Sequence, residues 1–184
     1  MKTAIKIFML LIISFSLSVF AQDKENYSNE PGYVDFGNLT SFMKSDNVTE
    51  VNIEGYLMKM VSNLTEKSDP ELSRMLSGLK LIKVYSFDAN AKNSDQLMNK
   101  IDQIDNSLTN KNWDRIVKVR SPKENTNVYI KTTPDQKTIV GLVVTSLEKD
   151  GDSAFINIVG NIDMDALGRL GSKFDIPSLE NIHK

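Results

Sequence analysis

The amino-acid sequence predicts an α+β domain: a mainly antiparallel sheet of about five to six strands with helices packed on one face. Three observations lead there. In the second half of the chain, apolar and β-branched runs follow one another with only short turns between them, and strands joined that closely pair as antiparallel hairpins. In the first half, apolar residues recur at helical spacing between strand-like runs. Between the two halves lies one long helical pattern, Leu97, Ile101, Ile104 and Leu108. Helices and hairpins kept in separate stretches argue α+β rather than a regular alternation.

In chain order, Gly32–Gly37 marks where structure begins, its aromatics packing as an opening segment or short edge strand. Val48–Ile53 alternates apolar and polar residues, the period of a half-exposed strand, and Gly55 ends it. Leu57, Met60, Val61 and Leu64 then fall at i, i+3, i+4 and i+7, which predicts a helix with that face inward. Ser68-Asp69-Pro70-Glu71 opens a second helix with a capping residue, a first-position proline and an acid in the first turn. Its inner face is Leu72, Met75, Leu76 and Leu79. Leu81–Phe87 is the second strand, and Asn93-Ser94 starts the third helix. Arg115–Val119 and Thr126–Lys131 are strands three and four, separated by Ser121-Pro122-Lys123-Glu124-Asn125. Ile139–Val144 is apolar almost throughout, as expected of a strand covered on both faces. The turn Lys149-Asp150-Gly151-Asp152 supplies the positive φ of a tight hairpin and returns the chain as Ala154–Val159. Asp163 is placed to cap a closing helix with Leu167, Leu170 and Phe174 on its face.

The chain starts with a basic stretch, Met1–Lys6, an apolar run from Ile7 to Phe20, and Val19-Phe20-Ala21, a small-residue cleavage pattern. The apolar run is short of the roughly 20 residues a spanning helix needs. The expected organisation is a signal peptide at 1–21, a flexible segment at 22–31, one domain at 32–175 and a tail at 176–184. That implies export to the periplasm or beyond, with no membrane-spanning segment in the processed chain. Without a cysteine at the cleavage site, or anywhere, the chain is not expected to be a lipoprotein, and no disulfide stabilises it. Two of its 22 basic residues, Lys2 and Lys6, lie in the leader, so the remainder is mildly acidic against 24 Asp and Glu. Such a surface gives no electrostatic footprint for nucleic acid and no polybasic face for anionic lipid.

The chemistry of catalysis is hard to find. There is no cysteine, no Gly-x-Ser-x-Gly, and a single histidine, His183, on a polar tail. A nucleophile–base pair needs a base within hydrogen-bond reach, and zinc favours Cys and His ligands. No glycine-rich phosphate loop is present. Asp150 and Asp152 could ligate a hard cation, but Asp-Gly-Asp is also what a hairpin turn requires. Asp163 and Asp165 suit a helix start. No catalytic, cofactor-binding or metal residues are therefore assigned. Met58 and Met98 sit beside the predicted inner helix faces, and Trp113 opens strand three. Flexible thioethers and an indole suit an adaptable binding surface, so these three are the candidate partner-binding residues.

Tyr56-Leu57-Met58-Lys59-Met60, Leu81-Ile82-Lys83-Val84-Tyr85, Trp113–Val119 and Gly160-Asn161-Ile162-Asp163, set behind a signal peptide, resemble a family of exported proteins typical of Bacteroidota, a domain of unknown function of the DUF4252 type. The resemblance spans roughly Val48 to Leu170. It implies a periplasmic or surface setting and, through neighbouring extracytoplasmic sigma-factor genes, a tie to envelope signalling; it brings no catalytic residues. The leading expectation is a non-enzymatic exported domain that binds an envelope protein. The alternatives are an accessory of an extracytoplasmic sigma-factor system and a hydrolase of an envelope polymer using two carboxylates.

Overall fold

A computed structural model describes residues 26–43, 47–90 and 92–163. In chain order these form β1 (Val48–Glu54), α1 (Gly55–Thr65), α2 (Pro70–Gly78), β2 (Leu79–Asp88), α3 (Ser94–Asn110), β3 (Asp114–Arg120), β4 (Glu124–Thr132), β5 (Ile139–Glu148) and β6 (Asp152–Ile162). The signal peptide, the closing helix with Leu167, Leu170 and Phe174, and the tail with His183 lie outside the described residues.

All six strands form one antiparallel sheet in the order β1-β2-β6-β5-β4-β3. The α+β class and the antiparallel sheet are as the sequence predicts. β3 to β6 are a meander of successive hairpins, while β2 inserts against β6, so the connection through α3 carries the chain across three strands. The hairpin turn after β5 takes its left-handed residue at Asp150, with φ 61°, a conformation that Asp tolerates better than most side chains.

Alternation along the strands sorts the side chains into two cores. Tyr85, Phe87, Tyr129, Val143, Leu147 and Phe155 face one side, the first face. Ile53, Ile82, Val84, Val117, Val128, Leu142, Val144, Ile156 and Ile158 face the other. On the second face the register lines up whole rows. Val51, Val84, Ile156, Val144, Val128 and Val117 cross the sheet together, and the next row but one is Thr49, Ser86, Ala154, Ser146, Thr126 and Val119. The apolar core therefore stops at a row of hydroxyl and methyl groups, in which the Thr126 and Ser146 hydroxyls are 2.9 Å apart.

The helices divide between the faces, which corrects the expectation of one helical face. α3 sets Leu97, Ile101, Ile104 and Leu108 into the first core, whereas α1 and α2 bring Met58 and Leu76 into the second. Each sheet face carries apolar side chains, and a sheet buried on one side only would leave the other in water. α2 starts as expected, with Pro70 at its first turn and the Asp69 carboxylate accepting from the Leu72 N–H at 3.0 Å.

α1 is turned over relative to the prediction. Its buried residues are Gly55, Met58 and Ser62, while Met60 and Leu64 are 52% and 77% exposed. Small residues explain the reversal. A Cβ on Gly55 would lie 3.1 Å from the Lys80 carbonyl oxygen, and the Ser62 hydroxyl donates to the Ser73 carbonyl of α2 at 2.8 Å. Close packing of α1 on α2 and β2 thus selects the narrow Gly/Ser face, and the wider apolar face points out.

The remainder of the first face is covered by residues 32–43, which run over it without regular structure and bury Val34, Phe36, Leu39 and Phe42. The opening segment is therefore a cover and not an edge strand. Before it, part of the stretch expected to be flexible is a 3-10 turn, Tyr27–Asn29, in which the Asn26 carboxamide oxygen accepts from the Ser28 N–H. Glu30 is tied to Lys80 at 2.7 Å.

Candidate functional site

A cleft of about 440 Å³ lies between the N-terminal turn and the outer strands, lined by Asn26, Tyr27, Ser28, Tyr33, Glu50, Asn52, Glu54, Leu81, Lys83 and Tyr85. The strand period places its floor. Glu50 pairs with Tyr85 and Asn52 with Lys83 across β1 and β2, so all four side chains rise on the first face. The N-terminal turn and the cover segment supply the opposite wall through Tyr27 and Tyr33 respectively. The Lys83 ammonium lies 5.3 Å from the Tyr33 ring centre and 3.5 Å from its hydroxyl, which orients both groups at the mouth. The Tyr27 hydroxyl accepts from the Gly55 N–H at 3.3 Å, at the first residue of α1. On the far side of Tyr27 a second cleft of about 360 Å³ is lined by Glu30, Lys59, Leu79 and Lys80 among others. Chemically, the first of these clefts combines aromatic surface with acceptors, amides and one cation. Among the described residues there is no group of three or more metal-ligating side chains.

The three residues singled out from the sequence are not brought together, and none lines this cleft. Met58 is 2% exposed, in the second core. Met98 packs against the first core, its sulfur accepting from the Asn125 amide at 3.0 Å. Trp113 is 6% exposed and covers Gly141, where a Cβ would meet the indole at 2.6 Å. Burial removes Met58 and Trp113 from the surface that a partner would touch. The apolar surface on α1 belongs instead to Tyr56, Met60, Val61 and Leu64.

The model of a domain of unknown function, DUF4252, matches residues 42–170, well over half of the chain. The chain belongs to the DUF4252 family. No curated protein and no solved structure matches it. The DUF4252 region takes in all six strands and all three α-helices of the described residues. The cleft straddles its boundary: the β1 and β2 floor is inside the region, while the Asn26–Tyr33 wall precedes it. No helix among the described residues is long and apolar enough to cross a membrane.

Within the DUF4252 region a second polar feature was not legible as a site. Under α3, Asn125, Asn127 and Thr145 are buried on the first face. The Asn127 amide donates to the Asn125 oxygen at 3.3 Å, but the Asn127 Oδ1, the Thr145 Oγ1 and the Asp105 Oδ1 have no hydrogen-bond partner among the described residues. Burial pushes the Asp105 carboxyl up, against the opposing pull of the Tyr129 hydroxyl and the Arg115 guanidinium, with Asp102 adding to the rise. Burial likewise raises the Tyr129 phenol, helped by the Asp105 charge. Asp105 projects from α3 and is no part of the cleft wall.

Proposed function

We propose that this DUF4252 protein is exported by its leader, cleaved after Ala21, and acts in the cell envelope as a non-enzymatic domain that binds another envelope protein. The basic start, the short apolar run and the Val19-Phe20-Ala21 pattern support export. The observation that carries the binding reading is the open cleft with Tyr27, Tyr33 and Tyr85 on its walls and Glu50, Asn52, Glu54 and Lys83 between them. Tyrosine offers a large contact area at low conformational cost together with a polar tip. The mixed donors and acceptors suit a protruding loop of a partner. The carboxyl that burial pushes up, Asp105, stands outside this cleft, which favours binding over a hydrolysis that would need a tuned acid beside its ligand.

A photo-crosslinking side chain at Ser28, inside the cleft, and another at Lys123, on the β3–β4 turn, test this in the native host. The expected outcome is one discrete protein adduct from position 28, absent from position 123 and lost when Tyr33→Ala is added. Adducts that are the same from both positions, or none from position 28, would sink the proposal.

A further inference from the structure

We propose that the two free edges of the sheet are complementary and that a second copy of this chain adds its β3 to β1, continuing the sheet from one molecule into the next. Direction is the first requirement. With six antiparallel strands in the order β1-β2-β6-β5-β4-β3, the two outermost strands run in opposite senses. A copy moved sideways by the width of the sheet, and turned only by the accumulated twist of its strands, therefore presents β3 antiparallel to β1 with the same face up.

The side chains then match on both faces. On the first face β1 carries Glu50 and Asn52, opposite Tyr85 and Lys83 of β2. On that same face β3 carries Lys118 and Arg120, opposite Asn127 and Asn125 of β4. On the second face β1 carries Val51 and Ile53, and β3 carries Val117 and Val119. Setting Val51 against Val119 brings Glu50 opposite Arg120, Asn52 opposite Lys118 and Ile53 opposite Val117. Opposite charges and β-branched pairs directly across a ladder are the combinations that stabilise it.

The edges are also open. Ile116 and Val119 are 44% and 39% exposed, and Glu50, Asn52, Lys118 and Arg120 are exposed. Among the described residues no strand pairs with the outer side of either edge. β1 has no proline, lysine or bulge, the usual protections of an edge strand. β3 has a register shift between Arg115 and Val117, and Arg115 is engaged with the Tyr129 hydroxyl at 3.4 Å. The regular part of the contact is thus Val117–Arg120, short enough to make the association weak and dependent on charge. Because one edge meets the other and not itself, the contact is heterologous, and its ends stay open.

Sedimentation velocity on the chain as recovered from cells, across a range of concentrations at about 50 and 500 mM salt, reads this directly. The mass is expected to grow with concentration at low salt and to return toward the monomer at high salt. Glu50→Arg and Arg120→Glu, each with unchanged circular dichroism, should be monomeric alone where the parent associates. Mixed in equal amounts they should associate again, since the basic β1 of one meets the acidic β3 of the other. Tyr33→Ala should leave the self-association intact, which separates it from partner binding in the cleft. A parent chain that is monomeric at every concentration and salt overturns the proposal, as does a mixture of the two charge variants that stays monomeric.

Discussion

The carboxamide of Asn157 on β6 grips the backbone on both sides of Tyr33: its Oδ1 accepts from the Val34 N–H at 2.9 Å and its Nδ2 donates to the Gly32 carbonyl at 2.9 Å. The same Nδ2 lies 3.2 Å from the Leu142 carbonyl of β5. One fully buried side chain thus joins the cover segment to the middle of the sheet, more than a hundred residues away in sequence. Tyr33, held between the two bonds, is the cleft residue that depends on them.

Asn157→Ala should cost roughly 3 kcal/mol, because the Val34 N–H and the Gly32 carbonyl are left unpaired near the sheet and each unsatisfied group carries its own penalty. Chemical denaturation gives the stability, and amide exchange at Val34 gives the location. A loss of stability with Val34 still protected would show that the carboxamide does not hold the segment.

The cover can lie this close only because two glycines meet. A Cβ on Gly141 would approach the Gly32 Cα at 2.5 Å and the Trp113 ring at 2.6 Å. Gly141→Ala is therefore expected to destabilise by about 2 kcal/mol or more, with quenching of Trp113 fluorescence altered. Gly151→Ala serves as the comparison, since the nearest neighbours of the new methyl are Glu148 side-chain atoms at 3.0–3.2 Å, which need give by only a few tenths of an ångström. Its expected cost is clearly the smaller, and equal losses at both positions would count against the close approach.

α1 gives a sharper contrast. Met58→Ala should cost about 2–4 kcal/mol, as expected for a core methionine, whereas Leu64→Ser should change stability by less than about 0.5 kcal/mol. Thermal melts of the two variants decide which face is inward. A larger loss from Leu64→Ser would restore the face read from apolar spacing.

Asp105 predicts a dependence on pH. Burial holds its folded pKa above the ordinary value of 3.8. Between that value and the raised one, the folded chain keeps a proton the unfolded chain has released, so stability falls as pH climbs through the window. Below about pH 3.8 the cost disappears. Asp105→Asn should then raise the melting temperature at pH 7 by ~1–2 °C, a figure reduced for solvent screening, and leave it unchanged at pH 3. An equal gain at both pH values would assign the effect to hydrogen bonding rather than charge.

How far the chain could be read follows from what periodicity encodes. α3 and the hairpins from β3 to β6 were legible because most residues in their apolar pattern pack into one of the two cores, Ile116 and Val119 on the edge strand being exposed. α1 was legible as a helix and not as an orientation. Its inward face was chosen by Gly55 and Ser62 fitting against Lys80 and Ser73, contacts that depend on tertiary approach. Strand order was out of reach for a similar reason: nothing local in β2 says that it pairs with β6. Without that order, neither the split of helices between two faces nor the meeting of β1, β2 and residues 26–33 in one cleft could be foreseen. Asn157, a lone amide among Phe155, Ile156 and Ile158, was the one local sign of a buried polar anchor.

The insertion of β2 beside β6 sets an order of assembly. β1, α1, α2 and β2 are complete by Asp88, yet the strand that β2 must join ends at Ile162. The meander from β3 to β6 closes through short turns and can form by itself at low entropic cost. The earlier strands, made first, have to wait beside it with an apolar edge unpaired. Until the last strand is in place, the N-terminal half has somewhere to go and nothing to hold.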